Sequence, residues 1–169
     1  YTGAGVIFGS TGGVMEAALR SAHYFITGKN LEKIEFEEIR GLQGVKELTL
    51  PIAGKTVRVA VAHGLGHVMN VLDRVRDARD KGDPPPYDFI EVMACPGGCV
   101  GGGGQPYGVT DEIRAKRAQG LYQADRDKKI RYSHENPYVK QLYEEFLKQP
   151  LSSTSHELLH THYVKRGEE

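Results

Sequence analysis

Cysteine is scarce in this chain: Cys95 and Cys99 are the only two in 169 residues. A secreted domain stapled by disulfides needs more cysteines, spread along the sequence, so that class is excluded and a reducing, cytoplasmic compartment is expected. No apolar run approaches the roughly 20 residues that span a bilayer, and no membrane partner is expected. Net charge is lacking as well. The 22 Lys+Arg balance the 22 Asp+Glu, so no whole-chain field gathers nucleic acid or a charged membrane. The opening Tyr1-Thr2-Gly3-Ala4-Gly5 carries neither an initiator Met nor a basic leader and reads as the middle of a longer polypeptide. Repeats, low-complexity tracts and flexible linkers are missing. The length suits one domain, or one lobe of a larger one.

What is present alternates between helical and strand patterns. A glycine-rich loop, 5–13, runs into a helix in which Val14, Ala18, Ala22, Phe25 and Ile26 recur at helical spacing and predict the inward face; Gly28 supplies the stop. Residues 34–39 and 47–52 predict strands. Ala53-Gly54-Lys55 then turns the chain into a strand over 56–62, giving a hairpin. A helix over 66–78 places Val68, Val71, Leu72 and Val75 on one face. The run Pro84-Pro85-Pro86 leads to a short buried strand over 87–92. Thr110 caps a helix with Asp111 and Glu112 in its first turn. Asn136-Pro137 opens another, with Val139, Leu142, Tyr143 and Phe146 inward, and a last short helix is expected over 155–163. The pattern is α/β, a mixed β-sheet flanked by helices.

The chemistry concentrates in 91–106. A strand delivers Cys95 at its end, and six of the next nine residues are glycine. Backbone without side chains can wrap a bulky group and aim N–H groups at it. Iron–sulfur clusters suit such a loop, because their sulfides accept hydrogen bonds that tune the potential. Spacing alone leaves alternatives open. A Cys95–Cys99 disulfide is one, although redox pairs are usually spaced CxxC. Zinc is another, with His63 and His67 the only nearby candidates, both also readable as flanks of a helix start. A phosphate loop would want a following Lys-Ser/Thr, which is missing. On residue type alone, Met93 and Phe8 are ordinary core side chains.

The string Glu-x-Met-x-Cys-x-x-Gly-Cys-x-x-Gly-Gly-Gly-Gln-Pro, from Glu91 to Pro106, resembles without departure the last of three cluster-binding motifs of iron-only hydrogenases. Ile7-Phe8-Gly9-Ser10-Thr11-Gly12-Gly13-Val14-Met15-Glu16-Ala17-Ala18-Leu19-Arg20 resembles a second hallmark of that family. So do Arg40-Gly41-Leu42, Ser133-His134-Glu135-Asn136 and Leu158-Leu159-His160-Thr161-His162-Tyr163. The similarity runs over essentially all of residues 1–169, read as the C-terminal portion of the catalytic domain.

The resemblance implies one lobe of that domain and an enzyme that interconverts dihydrogen with protons and electrons at the H-cluster, a [4Fe–4S] cubane joined to a two-iron subcluster. Cys95 would bind one cubane iron, and Cys99 would be the thiolate bridging cubane and subcluster. Met93, Phe8 and Gly9 would line the pocket of the two-iron unit. The implied partners are the N-terminal half of the same domain and a ferredoxin or NAD(P)-linked electron carrier. The family's first two motifs, built on Thr-Ser-Cys-Cys-Pro and Met-Pro-Cys, are not in this sequence, so the fragment alone is expected to lack the cluster and to be inactive. Two other classes compete. A hydrogenase-like cytosolic iron–sulfur assembly factor shares the cysteine loop, but not the Gly-Gly-Val-Met-Glu-Ala-Ala-Leu-Arg stretch or the Gln105-Pro106 ending. A sensory hydrogenase without high turnover would keep the whole scaffold.

Overall fold

Two strands meet at a turn in which both central residues have positive φ, Ala53 at 49° and Gly54 at 79°. That is the two-residue hairpin geometry whose twist matches the flanking strands. It joins β1 (Val45–Ile52) to β2 (Lys55–His63) in antiparallel register, from Val45 opposite Ala62 to Ile52 opposite Lys55. The third strand, β3 (Phe89–Met93), pairs parallel to β2, with His63 opposite Met93. A parallel step requires a crossover, and α3 (Leu65–Lys81) makes it. The sheet is therefore mixed, in the order β1-β2-β3. Because β2 and β3 run the same way, His63 and Met93 both reach its carboxyl edge, where open α/β sheets place their sites.

The computed structural model describes residues 1–164, in two units: Tyr1–Ser133, which contains the sheet, and the segment from His134 onward. Both faces of β2 are covered, so Val59 to His63 are buried without alternation. Met15 and Leu19 of α2 (Gly13–Thr27) pack one face with Ile39, Ile52, Val59 and Val61. Val68 and Val71 of α3 pack the other with Ala60 and Ala62. A short α1 (Gly3–Ile7) precedes α2, and α4 (Asp111–Arg126) lies on α1 through Ile7, Ala118 and Tyr122. Thr110 caps α4 as expected, accepting the Ile113 N–H at 3.3 Å.

The inward face of α2 differs from the one the apolar spacing predicts. Phe25 and Ile26 are 66 % and 58 % exposed, while Glu16 and Arg20 are fully buried. The reason is an ion network that a hydrophobic pattern cannot show. All five N–H donors of Arg20 are used: Nε to the Ile34 carbonyl, Nη1 to Asp125 Oδ1 and the Arg131 carbonyl, Nη2 to Glu16 Oε1 and Asp125 Oδ2. Arg40 adds two bonds to Glu16 at 2.7 and 2.8 Å. Burial pushes the Asp125 carboxyl up, but hydrogen bonds and charge from Arg20 and Arg131 outweigh it and hold it below the usual carboxylate range.

The expected strand over 34–39 is not formed: the Ile34 carbonyl accepts from Arg20, and the rest makes only a 3-10 turn, Glu37–Ile39. The strand expected to be buried over 87–92 starts at Phe89 and lies at the sheet edge; only Glu91 in it is fully buried, and Phe89 and Val92 are each 49 % exposed. On α3, Leu72 is 36 % exposed beside the buried Val68 and Val71.

In the second unit Asn136 caps α5 (Pro137–Leu142), accepting the Tyr138 N–H at 3.0 Å. Val139, Leu142 and Phe146, expected inward, are exposed, and Leu147 is buried instead. A π-helical turn over Tyr143–Leu147 widens the spiral and rotates that face. The last helix, α6, spans Ser153–Leu159; it starts two residues before the expected 155 and ends four before the expected 163.

Replacing Arg20 by Leu takes one of the two arginine partners from each of two buried carboxylates, Glu16 and Asp125. Urea unfolding should show a loss of about 3–5 kcal/mol, whereas Arg76→Leu, at an exposed pair with Asp73, should cost about 0.5 kcal/mol or less. Equal losses for the two variants would contradict the role given to the network.

Candidate functional site

Past Met93 the chain leaves β3 and folds back on itself. Gly97 and Gly98 take positive φ, 79° and 89°, and a 3-10 turn follows at Cys99–Gly101. The Gly98 N–H returns to the Cys95 carbonyl, and the Gly102 N–H to the Cys99 carbonyl, both at 3.0 Å. Cys95 and Cys99 are free and exposed, so the disulfide alternative is not formed. A Cβ added at Gly102 would sit 3.7 Å from Cys95 Sγ, in ordinary contact with it.

The glycine loop before α2 is zipped to this one. The Thr11 N–H donates to the Gly97 carbonyl, and the Val100 N–H donates to the Gly9 carbonyl, each at 3.0 Å. Gly98 is wedged at the crossing: a Cβ there would lie 2.7 Å from Met93 Sδ and 2.9 Å from the Thr11 nitrogen. Phe8 and Gly9 thus come from one loop, Cys95 and Cys99 from a loop adjoining it, and Met93 from the end of β3. Phe8 is 45 % exposed and Met93 half-buried, so neither is an ordinary core side chain. At Gly9 the missing side chain also has a local reason, since a Cβ would come within 2.8 Å of Leu121 Cδ1 on α4.

Three buried polar residues brace the site, and the sequence reading assigned none of them a role there. The Glu91 carboxylate accepts the Gly12 N–H at 2.6 Å and the Met15 N–H at 2.7 Å. A carboxylate on β3 therefore caps α2, where the helix dipole favours negative charge. Lys46 reaches under the loop to the carbonyls of Thr11 and Gly41. His63 Nδ1 accepts the Gly97 N–H at 3.0 Å. Some signal was available: Glu91 is a fixed position of the motif, on the strand alternation opposite Val92. From α4, Arg117 donates to the Val100 carbonyl at 2.9 Å, and Arg114 Nε lies against Gly101 without a hydrogen-bond partner among the described residues.

The donor set is two free thiols in a glycine-lined loop. Among the described residues no group of three or more His, Cys, Asp or Glu side chains is disposed to hold a metal ion. Thiolates are the ligands that iron–sulfur clusters take.

Comparison with known proteins decides the family. Residues 1–103 match the iron only hydrogenase large subunit, C-terminal domain. The chain belongs to the iron-only hydrogenase family. Residues 111–166 match the iron hydrogenase small subunit. It is 52 % identical to the NADP-reducing hydrogenase subunit HndD of Solidesulfovibrio fructosivorans, over 98 % of this chain and 27 % of that protein. Iron hydrogenase 1 of Clostridium pasteurianum is 42 % identical over 98 % of this chain and 29 % of its own. The chain thus spans under a third of the length of these relatives. An [FeFe]-hydrogenase from Chlamydomonas reinhardtii superposes with a TM-score of 0.70 and 40 % identity, over 93 % of this chain and 45 % of that one. Protein NAR1 of Arabidopsis thaliana is 33 % identical over 93 % of this chain and 33 % of its own. No described helix is long and apolar enough to cross a membrane.

Burial pulls the Lys46 ammonium down to about 8, against the attraction of Glu91. In the unfolded chain it titrates near ~10.4. Between these values the unfolded chain holds a proton the folded chain has released, so stability rises with pH through that window. The wild type should therefore gain on Lys46→Met as pH goes from about 7.5 to about 9.5, measured by urea unfolding at each pH; a gap independent of pH would contradict it.

Proposed function

We propose that this chain is the C-terminal part of the catalytic domain of an iron-only hydrogenase, which reversibly oxidises dihydrogen to protons and electrons. The observation that carries the reading is the zipping of the Phe8–Gly9 loop to the Cys95–Cys99 loop, with both thiols free and exposed. Cys95 would hold one iron of a [4Fe–4S] cubane, and Cys99 would bridge it to the two-iron subcluster. When bound, the H-cluster supplies the redox chemistry and the open iron position for dihydrogen. Met93 would fill space beside it with a soft thioether, and Phe8 and Gly9 would close the pocket against water. Glu91 and Lys46 keep these loops in register.

The first partner is the N-terminal half of the same domain, carrying the other two cluster motifs. In support, α2 and the sheet leave an apolar groove of about 330 Å³ lined by Ala18, Ala22, Ile26, Val57 and Phe89. An exposed apolar surface of that kind marks a contact site. Electrons would pass to ferredoxin or an NAD(P)-linked subunit, a reading supported by the 52 % identity to a subunit of an NADP-reducing hydrogenase. The free cysteines agree with a reducing, cytoplasmic location. The match to Protein NAR1 favours a second reading, an assembly factor with no turnover, but identity is lower there, 33 % against 52 % and 42 %.

In the full-length protein Cys99→Ser should abolish hydrogen uptake with an artificial acceptor, because an alcohol bridges soft iron centres poorly. Cys95→Ser should lower cubane iron. The isolated 169-residue chain should hold no stable iron, since it offers two thiolates where a cubane wants four anchors. Normal uptake in Cys99→Ser, or turnover by the isolated chain, would overturn the proposal. A parent protein that keeps its iron and never consumes hydrogen would favour the assembly-factor reading.

A further inference from the structure

His63 stands at the end of β2, opposite Met93 and 5 % exposed. Its two ring nitrogens are engaged in opposite senses. Nδ1 faces the Gly97 N–H at 3.0 Å, and Nε2 faces the Leu42 carbonyl at 3.1 Å. An N–H can only donate and a carbonyl can only accept, so Nδ1 is the acceptor and Nε2 carries the proton. The imidazole is neutral, in one tautomer.

Gly97 lies midway between Cys95 and Cys99. Its peptide groups are held on both sides, the N–H by His63 and the carbonyl by the Thr11 N–H. Neither Gly97 nor Gly98 has a side chain to pack, and both take positive φ, which glycine adopts at little cost. Backbone partners must therefore do what packing does elsewhere. Without His63 the buried Gly97 N–H has no acceptor, and an unsatisfied buried donor costs more than the bond it replaces.

We infer that His63 is a positioning residue, whose Nδ1 fixes the Gly97 peptide and with it the spacing of the two cysteines that anchor the cluster. The inference rests on the proposed cluster-binding function for its consequence, not for its geometry. Burial keeps the ring neutral, and the charge of Lys46 and the neighbouring His67 act in the same direction, against the Leu42 carbonyl.

Three variants of the full-length protein separate this role from ordinary packing. The Oδ1 of Asn falls near the place of Nδ1, so His63→Asn keeps the acceptor for Gly97. The amide nitrogen of Gln falls near the place of Nε2, so His63→Gln keeps only the donor to Leu42. His63→Phe fills the volume and keeps neither. Two readouts are used: deuterium exchange of the 95–101 peptide, and the rate of iron loss to a ferrous chelator. Both should be about tenfold faster in His63→Gln and His63→Phe, the factor expected for an orphaned buried N–H, and near wild type in His63→Asn. If His63→Phe does not fold, the Asn and Gln variants decide. Rescue by Gln and not Asn, or no change in any variant, overturns the inference. A wild-type parent that binds no iron–sulfur cluster would sink the proposed function, and the exchange measurement would still judge the clamp.

Discussion

Two backbone N–H groups at the start of α2 close on one carboxylate, and the arrangement of the site depends on that closure. Glu91 stands two residues before Met93 and four before Cys95. By accepting from Gly12 and Met15 it ties the strand that presents the cysteines to the helix that follows Phe8 and Gly9. Charge-assisted bonds of this kind are about twice as strong as neutral ones, and here burial keeps water from competing. Once the helix start is fixed, the Thr11 and Val100 amides fall opposite the Gly97 and Gly9 carbonyls. Gly12 is part of the same closure, since a Cβ there would meet the Ile39 carbonyl at 2.0 Å.

A second constraint joins the two family matches. Residues 1–103 and 111–166 correspond to a large-subunit domain and a small subunit. Yet α4, from the second match, belongs to the same structural unit as the sheet. Its Asp125 is enclosed by Arg20 and Arg131, its Tyr122 hydroxyl lies 3.1 Å from Ser10 Oγ, and its Arg117 holds the cysteine loop at Val100. Residues 104–110 connect the two matched segments and leave the placement of α4 to other contacts. Buried ions set it, and they are costly to separate.

The cysteine loop and the hairpin were legible in the sequence because each rests on local rules: cysteine spacing among glycines, and alternation around Ala53-Gly54. The mixed sheet followed from them. What stayed hidden rests on long-range polar contacts. Glu16 and Arg20 look like a surface pair four residues apart on a helix, and nothing local reveals that Asp125 and Arg40 enclose them. Residues 34–39 look like a strand because Ile34 and Ile39 are apolar, and both are indeed buried, but the Ile34 carbonyl is bonded to Arg20 and the rest closes a 3-10 turn. His63 read as a helix flank because its partner Gly97 is remote in sequence. Glycines in such a loop leave room for a cofactor, and several here, Gly12, Gly98 and Gly101 among them, leave room for the protein's own backbone and side chains.

The central claim is that Cys95 and Cys99 are held by this framework as two neighbouring anchors of one iron–sulfur assembly. The most direct measurement is anomalous diffraction at the iron edge from crystals of the full-length protein purified without oxygen. The account predicts iron at bonding distance from both Sγ atoms, within a single connected cluster, with Met93 and Phe8 in contact with it. Iron at neither sulfur, or the two sulfurs joined to each other, would contradict it.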